Sequence, residues 1–361
     1  MIIQEKMDIA LDGWVITGVG IVNRYLYLVV GQWEDENKPY REDDGKKYDH
    51  PTSLYHINLK ENTVRWKVIH NGITQVKCDG GRTETNLEAF FGGSGVTYHI
   101  DYRKDTFKHE DLLSTGKRIE EGTARGIRDI KLIGNHFYTG YSGNEIHRRD
   151  ASKEWTLIST EAVEYADKFA NANVRSLSAF SETEIYFCGQ DGNLWYYDGK
   201  YCEKIFNMPK EIDFEFIECS DDAKVYAIDS AGRGVAVGRG KEFTFIPMKK
   251  DDPANGGILF DSCTFKGKVY TARYSIYEFR DDAWVKADIP GIYGGVEHLS
   301  AKDGVMFIGT PYSLKIYNGK DTFTLYGEEK EDAKLISSAL FNASMELLEK
   351  GHEMLDNIEK K

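Results

Sequence analysis

A hairpin phrase that keeps returning limits what this 361-residue chain can fold into. Residues 185–206 read IYFCGQDGNLWYYDGKYCEKIF, and altered copies occupy 136–158, 269–289 and 306–326. Each copy holds a strand, a tight turn, a second strand, a Gly/Asp/Lys turn, and a third strand that opens near an aromatic. A strand-and-turn unit recurring about every forty residues cannot bury its own faces and must stack on its neighbours. The expected fold is all-β: a seven-bladed β-propeller, or a six-bladed one with an irregular hairpin. The doubt concerns blade two, whose first strand (ITQVKCD, 73–79) is the weakest.

Seven second strands can be aligned, at 24–31, 87–93, 135–140, 184–189, 224–229, 268–273 and 305–310. Five clear first strands precede them, at 127–133, 174–180, 215–220, 258–265 and 296–302. The propeller is assigned to 1–327. Residues 328–361 change character, with Ile336, Leu340, Leu347, Met354 and Ile358 spaced for an amphipathic C-terminal helix that Gly351 weakens. Asp198-Gly199-Lys200, Asn318-Gly319-Lys320 and Arg239-Gly240-Lys241 suit two-residue hairpin turns, while Arg280-Asp281-Asp282-Ala283 reads as a longer one. Trp155, Phe243, Trp284 and Phe323 follow these turns and are expected between blades.

Five cysteines, odd in number and without a CxxC pair, fit neither a disulfide framework nor a zinc site. His56 and His99 alternate with strand neighbours and read as structural. The first residues lack the basic and apolar segments of a signal peptide, so the expected address is cytoplasmic. No stretch approaches the roughly 20 apolar residues of a membrane span. A net charge of −13 disfavours nucleic acid and anionic membranes and speeds encounter with basic partners.

In a meander, connections alternate between the two ends of the strands. The short turns therefore share one face of the disc, and the long connections at 32–52, 112–126, 159–173 and 247–257 share the other. Loops of that length are usually functional or disordered, and their clustering on one face favours function. The first holds seven acids against four bases, with aromatics interleaved. Its Trp33, Glu34, Asp35, Glu36, Tyr40, Glu42, Asp43, Asp44 and Tyr48 are candidate partner-binding residues, aromatics anchoring while carboxylates steer. Residues 159–173 read as a short helix capped at Ser159 or Thr160, adding Glu161, Glu164 and Asp167 to the candidates.

Catalytic signatures are missing: no HExxH, calcium loop, phosphate loop or GxSxG phrase occurs. No catalytic residue, metal ligand or cofactor is assigned, and the chain does not read as an enzyme. Arg128 and Arg175 open the first strands of blades three and four and are candidates to grip an anion in the channel.

The blades resemble bacterial propellers with a loose YxxGxxGxIxxYDGxxWxxI consensus, matched here by Tyr186, Gly189, Gly192, Leu194, Tyr197, Asp198 and Gly199. The recurring marks of WD40, kelch and sialidase-like propellers are missing. The plain, acidic type is similar to propeller immunity proteins of polymorphic or type VI secretion toxins. That resemblance implies a non-enzymatic chain that binds a bacterial toxin domain, plausibly a basic nuclease, and blocks its active surface. The rival expectation is a ligand- or glycan-binding propeller, even a lyase or hydrolase, using Arg128, Arg175 and acids of the channel. A third is an assembly scaffold using the terminal helix.

Overall fold

The computed structural model describes residues 3–33, 40–41, 47–48, 51–69, 76–84, 86–93, 96–109, 127–150, 154–166, 173–205 and 207–327. Within them, seven four-stranded antiparallel sheets follow one another along the chain. One extra hairpin pairs Tyr40–Arg41 with Lys47–Tyr48 inside blade one, and two helices, α1 (Ile3–Ala10) and α2 (Thr160–Ala166), complete the structure. The inner strands are Trp14–Asn23, Lys77–Arg82, Ile127–Ile133, Val174–Ser181, Phe214–Cys219, Asp261–Phe265 and His298–Lys302. Each packs on the next and the seventh returns to the first, so the ring is closed. Blade two does form its first strand, a few residues later than its sequence suggested, and the count is seven.

Alternating burial explains the blades. Val225, Ala227 and Ala236 of blade five face Tyr186, Leu194 and Phe214, with Phe243 closing that cluster. Trp284 joins Phe216, Ile228, Val235 and Val269 at the next seam. Burying side chains of this size contributes about 2–3 kcal/mol each. Trp155 stands edge-on to Phe90 of blade two, with ring centres 5.8 Å apart. Phe323 departs from expectation: it is exposed, and Leu325 is the residue of that outer strand that enters the core. The reason is α1, which packs on this strand and places Met7, Ala10 and Leu11 in one cluster with Leu325.

That cluster closes the ring. Every blade is continuous in sequence, so no strand is shared between the ends of the circle. Instead α1 contacts the outer strands of blades one and seven. The inner edge is tied by Ile16 N donating to Pro311 O at 3.0 Å and by His298 Nε2 donating to Ile16 O at 3.3 Å.

The other seams repeat one device. Asp79, Asp129 and Asp261 each accept their own following N–H through Oδ1 at 2.8, 2.9 and 3.1 Å. Through Oδ2 each accepts an N–H of the next blade, from Leu132, Leu177 and Leu299 at 2.7, 2.9 and 3.0 Å. Ser178 Oγ receives Cys219 N at 3.0 Å between blades four and five, and Ser262 Oγ donates to Glu218 at 2.7 Å between five and six. Blades one and two approach too closely for such a pin: a Cβ on Gly20 would sit 2.7 Å from Cys78 Sγ.

The short-turn face is built locally. Asn58, Asp101, Asp198 and Asn318 each accept the backbone N–H groups two and three residues ahead, at 2.8–3.2 Å. These Asx turns suit Asn and Asp because the short side chain reaches its own backbone. The Arg280–Ala283 turn is not a longer loop. Arg280 pairs with Ala283, and Asp281 and Asp282 adopt φ of 52° and 59°, the two-residue type I′ form.

Candidate protein-binding face and channel

All seven inner strands run away from the same face, so every blade-to-blade crossover lies there, together with the 34–51 connection. The face combines crossovers of unlike length and charge. Residues 159–173 carry three acids against one base, whereas 112–126 carry three bases against two acids. Acidity is therefore uneven: it is present in the 34–51 connection, in 159–173 and in 287–297, which carries two acids and no base.

Of the candidate contacts, Glu34, Asp35, Glu36, Glu42, Asp43, Asp44 and Asp167 lie outside the described residues, as does the terminal helix. Tyr40 and Tyr48 face each other in the backbone register of the small hairpin. Trp33 ends the second strand of blade one and packs edge-on against Trp14, with ring centres 5.4 Å apart. In α2, Glu164 is exposed, while Glu161 accepts Cys202 N at 3.2 Å and so ties the helix to blade four. Ser159 directs its hydroxyl to the neighbouring turn of blade three, donating to Asn144 O at 2.8 Å and accepting from Ile146 N at 2.7 Å.

Three large apolar side chains that sequence reasoning missed stand on this face. Ile258 and Tyr293 sit in the crossovers between blades five and six and between six and seven, and Tyr312 in the adjacent turn of blade seven. They are 69%, 61% and 56% exposed. Exposed aromatic and aliphatic side chains gathered on adjacent blades are the usual anchors of a protein interface. Ile258 was assigned to an inner strand, which begins only at Asp261.

Below the face, the channel is a cavity of about 370 Å³. Its interior is charged, with Lys77, Lys131 and Lys302 set among Asp79, Asp129, Asp261 and Glu218. Lys77 Nζ lies 3.6 Å from Asp261 Oδ1 and Lys302 Nζ 3.2 Å from Asp79 Oδ1, each crossing the channel. Burial works against the Lys131 ammonium, yet Asp129, Glu218, Asp79 and Asp261 around it prevail and hold its pKa above the usual lysine value. Burial raises the Glu218 carboxyl. The deep aspartates are thus engaged by backbone N–H groups and lysines, which leaves them poorly placed as a general acid and base pair. Among the described residues no group of three His, Cys, Asp or Glu is placed to hold a metal ion.

At the mouth, the structure places Arg128 and Arg175 together, with Glu215 beside them. Each occupies a break in register where its inner strand begins, between Ile127 and Asp129, Val174 and Ser176, and Phe214 and Phe216. Such bulges re-aim a side chain. Thr17 occupies the same position in blade one. Arg175 Nε lies 3.7 Å from Glu215 Oε2, an ion pair rather than a hydrogen bond.

The chain is 27% identical over 268 residues to the immune protein Tsi7 of Pseudomonas aeruginosa, covering 73% of this chain and 76% of that protein. This chain resembles a bacterial immunity protein. No family model matches it. Among solved structures, the WD40 propeller domain of Doa1 superposes with a TM-score of 0.54 at 8% identity, over 82% of this chain and 90% of that one. An inactive virginiamycin B lyase from Staphylococcus aureus, bound to quinupristin, gives 0.51 at 9% identity, over 69% and 82%. At those identities the likeness is one of fold. In the described residues no helix is long and apolar enough to cross a membrane.

Proposed function

We propose that this propeller is a non-enzymatic immunity protein that binds a cognate toxin domain through its long-loop face and covers the toxin's active surface. The similarity to Tsi7 carries the reading, and the placement of the crossovers, Ile258, Tyr293 and Tyr312 on one face supports it. An inhibitory interface needs roughly 1,200–2,000 Å² of buried surface, which a propeller face supplies without pocket chemistry. The acids of residues 34–49 and Glu164 favour a basic guest, and a nuclease is the natural case because it must meet phosphates. The cytoplasm, where such a toxin would act, is the compartment this reading requires.

The test is to search the genes adjacent to this one for a toxin reading frame and to assay neutralisation of the domain it encodes. Co-expression is expected to rescue growth, and the purified pair to co-elute with toxin activity lost. A toxin that stays active in the presence of excess propeller, with no complex on gel filtration, would refute the proposal. The enzymatic alternative draws on the paired guanidinium groups at the channel mouth, and it would require turnover lost on Arg175→Ala.

A further inference from the structure

The seam that closes the ring is finished at its outer edge in a way the others are not. No strand is shared across it, and α1 lies on the outer strands Thr63–Ile69 of blade one and Thr322–Tyr326 of blade seven. Among the described residues these are the outer strands that carry a large exposed apolar side chain, Trp66 and Phe323, each 54% exposed.

Both side chains belong to the seam. Trp66 alternates with Val64 and Val68 on the same side of its strand, and those two pack against the closing cluster. Phe323 stands opposite Ile316 of that cluster in the strand register, so the two share a side. Helix α1 bridges the strands and turns Met7, Ala10 and the following Leu11 inward. Ile9 lies roughly 200° around the helix from Met7 and is 64% exposed. Three large apolar side chains thus gather at the outer rim of one seam, which marks a contact surface rather than ordinary scatter.

The chain itself supplies an occupant. Gly327 N donates to Asp8 Oδ1 of α1 at 3.4 Å, and the Tyr326 hydroxyl donates to Leu11 O at 3.4 Å, so the last blade strand is tied to α1 where it ends. The sequence that follows, outside the described residues, carries Ile336, Leu340 and Leu347 at spacings of four and seven, the pattern of one apolar stripe. As a helix that stripe is about 16 Å long, against about 20 Å for the outer strand of blade one. The stretch from Gly327 to Ile336 reaches about 30 Å when extended, enough to bring the stripe alongside either strand. A segment tethered this close acts at an effective concentration on the order of millimolar, which favours it over a second copy of the chain.

We propose that the rim formed by Ile9, Trp66 and Phe323 is the docking surface of residues 328–361, whose apolar stripe covers it and clasps blade seven to blade one. The inference stands on this rim and does not rest on the reading of the long-loop face.

Hydrogen–deuterium exchange of the full chain is compared with that of the triple variant Ile336→Glu/Leu340→Glu/Leu347→Glu, which leaves every residue of the rim in place. Cooperative urea unfolding of each variant checks that the ring is intact. Amides of α1 and of Thr322–Tyr326 are expected to exchange roughly fivefold faster or more in the variant, with those of Glu242–Pro247, the outer strand of blade five, unchanged. Ser338→Glu/Asn342→Glu, on the opposite side of the same helical pattern, should change neither. In fluorine spectra of protein labelled with fluorotryptophan, the Trp66 resonance, assigned by its loss in Trp66→Phe, should move in the triple variant and stay in the double. Equal exchange of α1 and an unmoved Trp66 resonance in wild type and triple variant would overturn the proposal, as would equal effects of the triple and double variants. So would a dimer mass by light scattering with protection of α1 lost on dilution, since a second copy would then occupy the rim.

Discussion

The two faces of the disc satisfy their backbones in opposite ways. On the turn face, Asn58, Asp101, Asp198 and Asn318 bond to their own chain within three residues. Toward the long-loop face, Asp79, Asp129 and Asp261 bond to the next blade, 53, 48 and 38 residues away. A face made of local bonds is built within each blade and has little freedom to vary. A face whose foundations are tied blade to blade can carry crossovers of any length, because the ring beneath them keeps its register. Recognition belongs on the second kind of surface, where loops vary on a rigid scaffold.

The largest expected effect is on the blade-to-blade pins. Asp129→Ala leaves the N–H groups of Ile130 and Leu177 and the Ser176 hydroxyl without their acceptor, and takes a counter-charge from half-buried Lys131. A loss of about 3 kcal/mol in urea unfolding is expected. An effect no larger than that of a turn-face aspartate would erase the distinction between the faces.

Next in size is the apolar patch. Replacing Ile258, Tyr293 and Tyr312 together with Ala should weaken toxin binding by about 2 kcal/mol or more, with unfolding unchanged. The same treatment of Tyr25 and Tyr201, exposed in turn-face connections, should leave affinity within about 0.5 kcal/mol. Surface plasmon resonance on both sets decides it.

A seam near the turn face gives a pH dependence. His56 Nδ1 lies 3.1 Å from the Tyr102 hydroxyl of blade two, and burial, aided by Arg65 and opposed by Asp105, pulls the His56 pKa from 6.5 to about 4. The unfolded chain therefore takes up a proton at a pH where the native state does not. This contribution to stability is complete above pH 6.5 and declines as pH falls toward 4, by up to about 1.4 kcal/mol per unit. His56→Gln should flatten that part of the stability–pH curve. Identical slopes for both proteins would contradict it.

The smallest effect is the single turn. Asn318→Ala removes two local bonds on the exposed face and should cost about 0.5–1 kcal/mol of stability, with toxin affinity unaltered. A drop in affinity would place contacts on the wrong side of the ring.

The blades were legible because alternation and turn residues are local signals. The strand Ile127–Ile133 and the helix at Thr160 fall where the pattern put them. Helix α1 carries a local signal too, with Ile3, Met7, Ala10 and Leu11 at spacings of four, three and one. The pins were not readable, because Asp129 looks like any strand aspartate until Leu177 is brought beside it. The bulges at Arg128, Arg175 and Glu215 depend on the register of a neighbouring strand. Their charge was visible in sequence, but their shared aim was not. Ile258 was hidden by resembling the start of a strand.

Hydrogen–deuterium exchange of the propeller, alone and in complex with the cognate toxin domain, tests the assignment of the contact surface most directly. Slowed exchange is expected in the crossovers 248–260 and 287–297, in α2 and around Arg128 and Arg175, with the turns after Asn58, Asp101, Asp198 and Asn318 unchanged. Protection confined to those turns, with the crossovers exchanging as in the free protein, would contradict it.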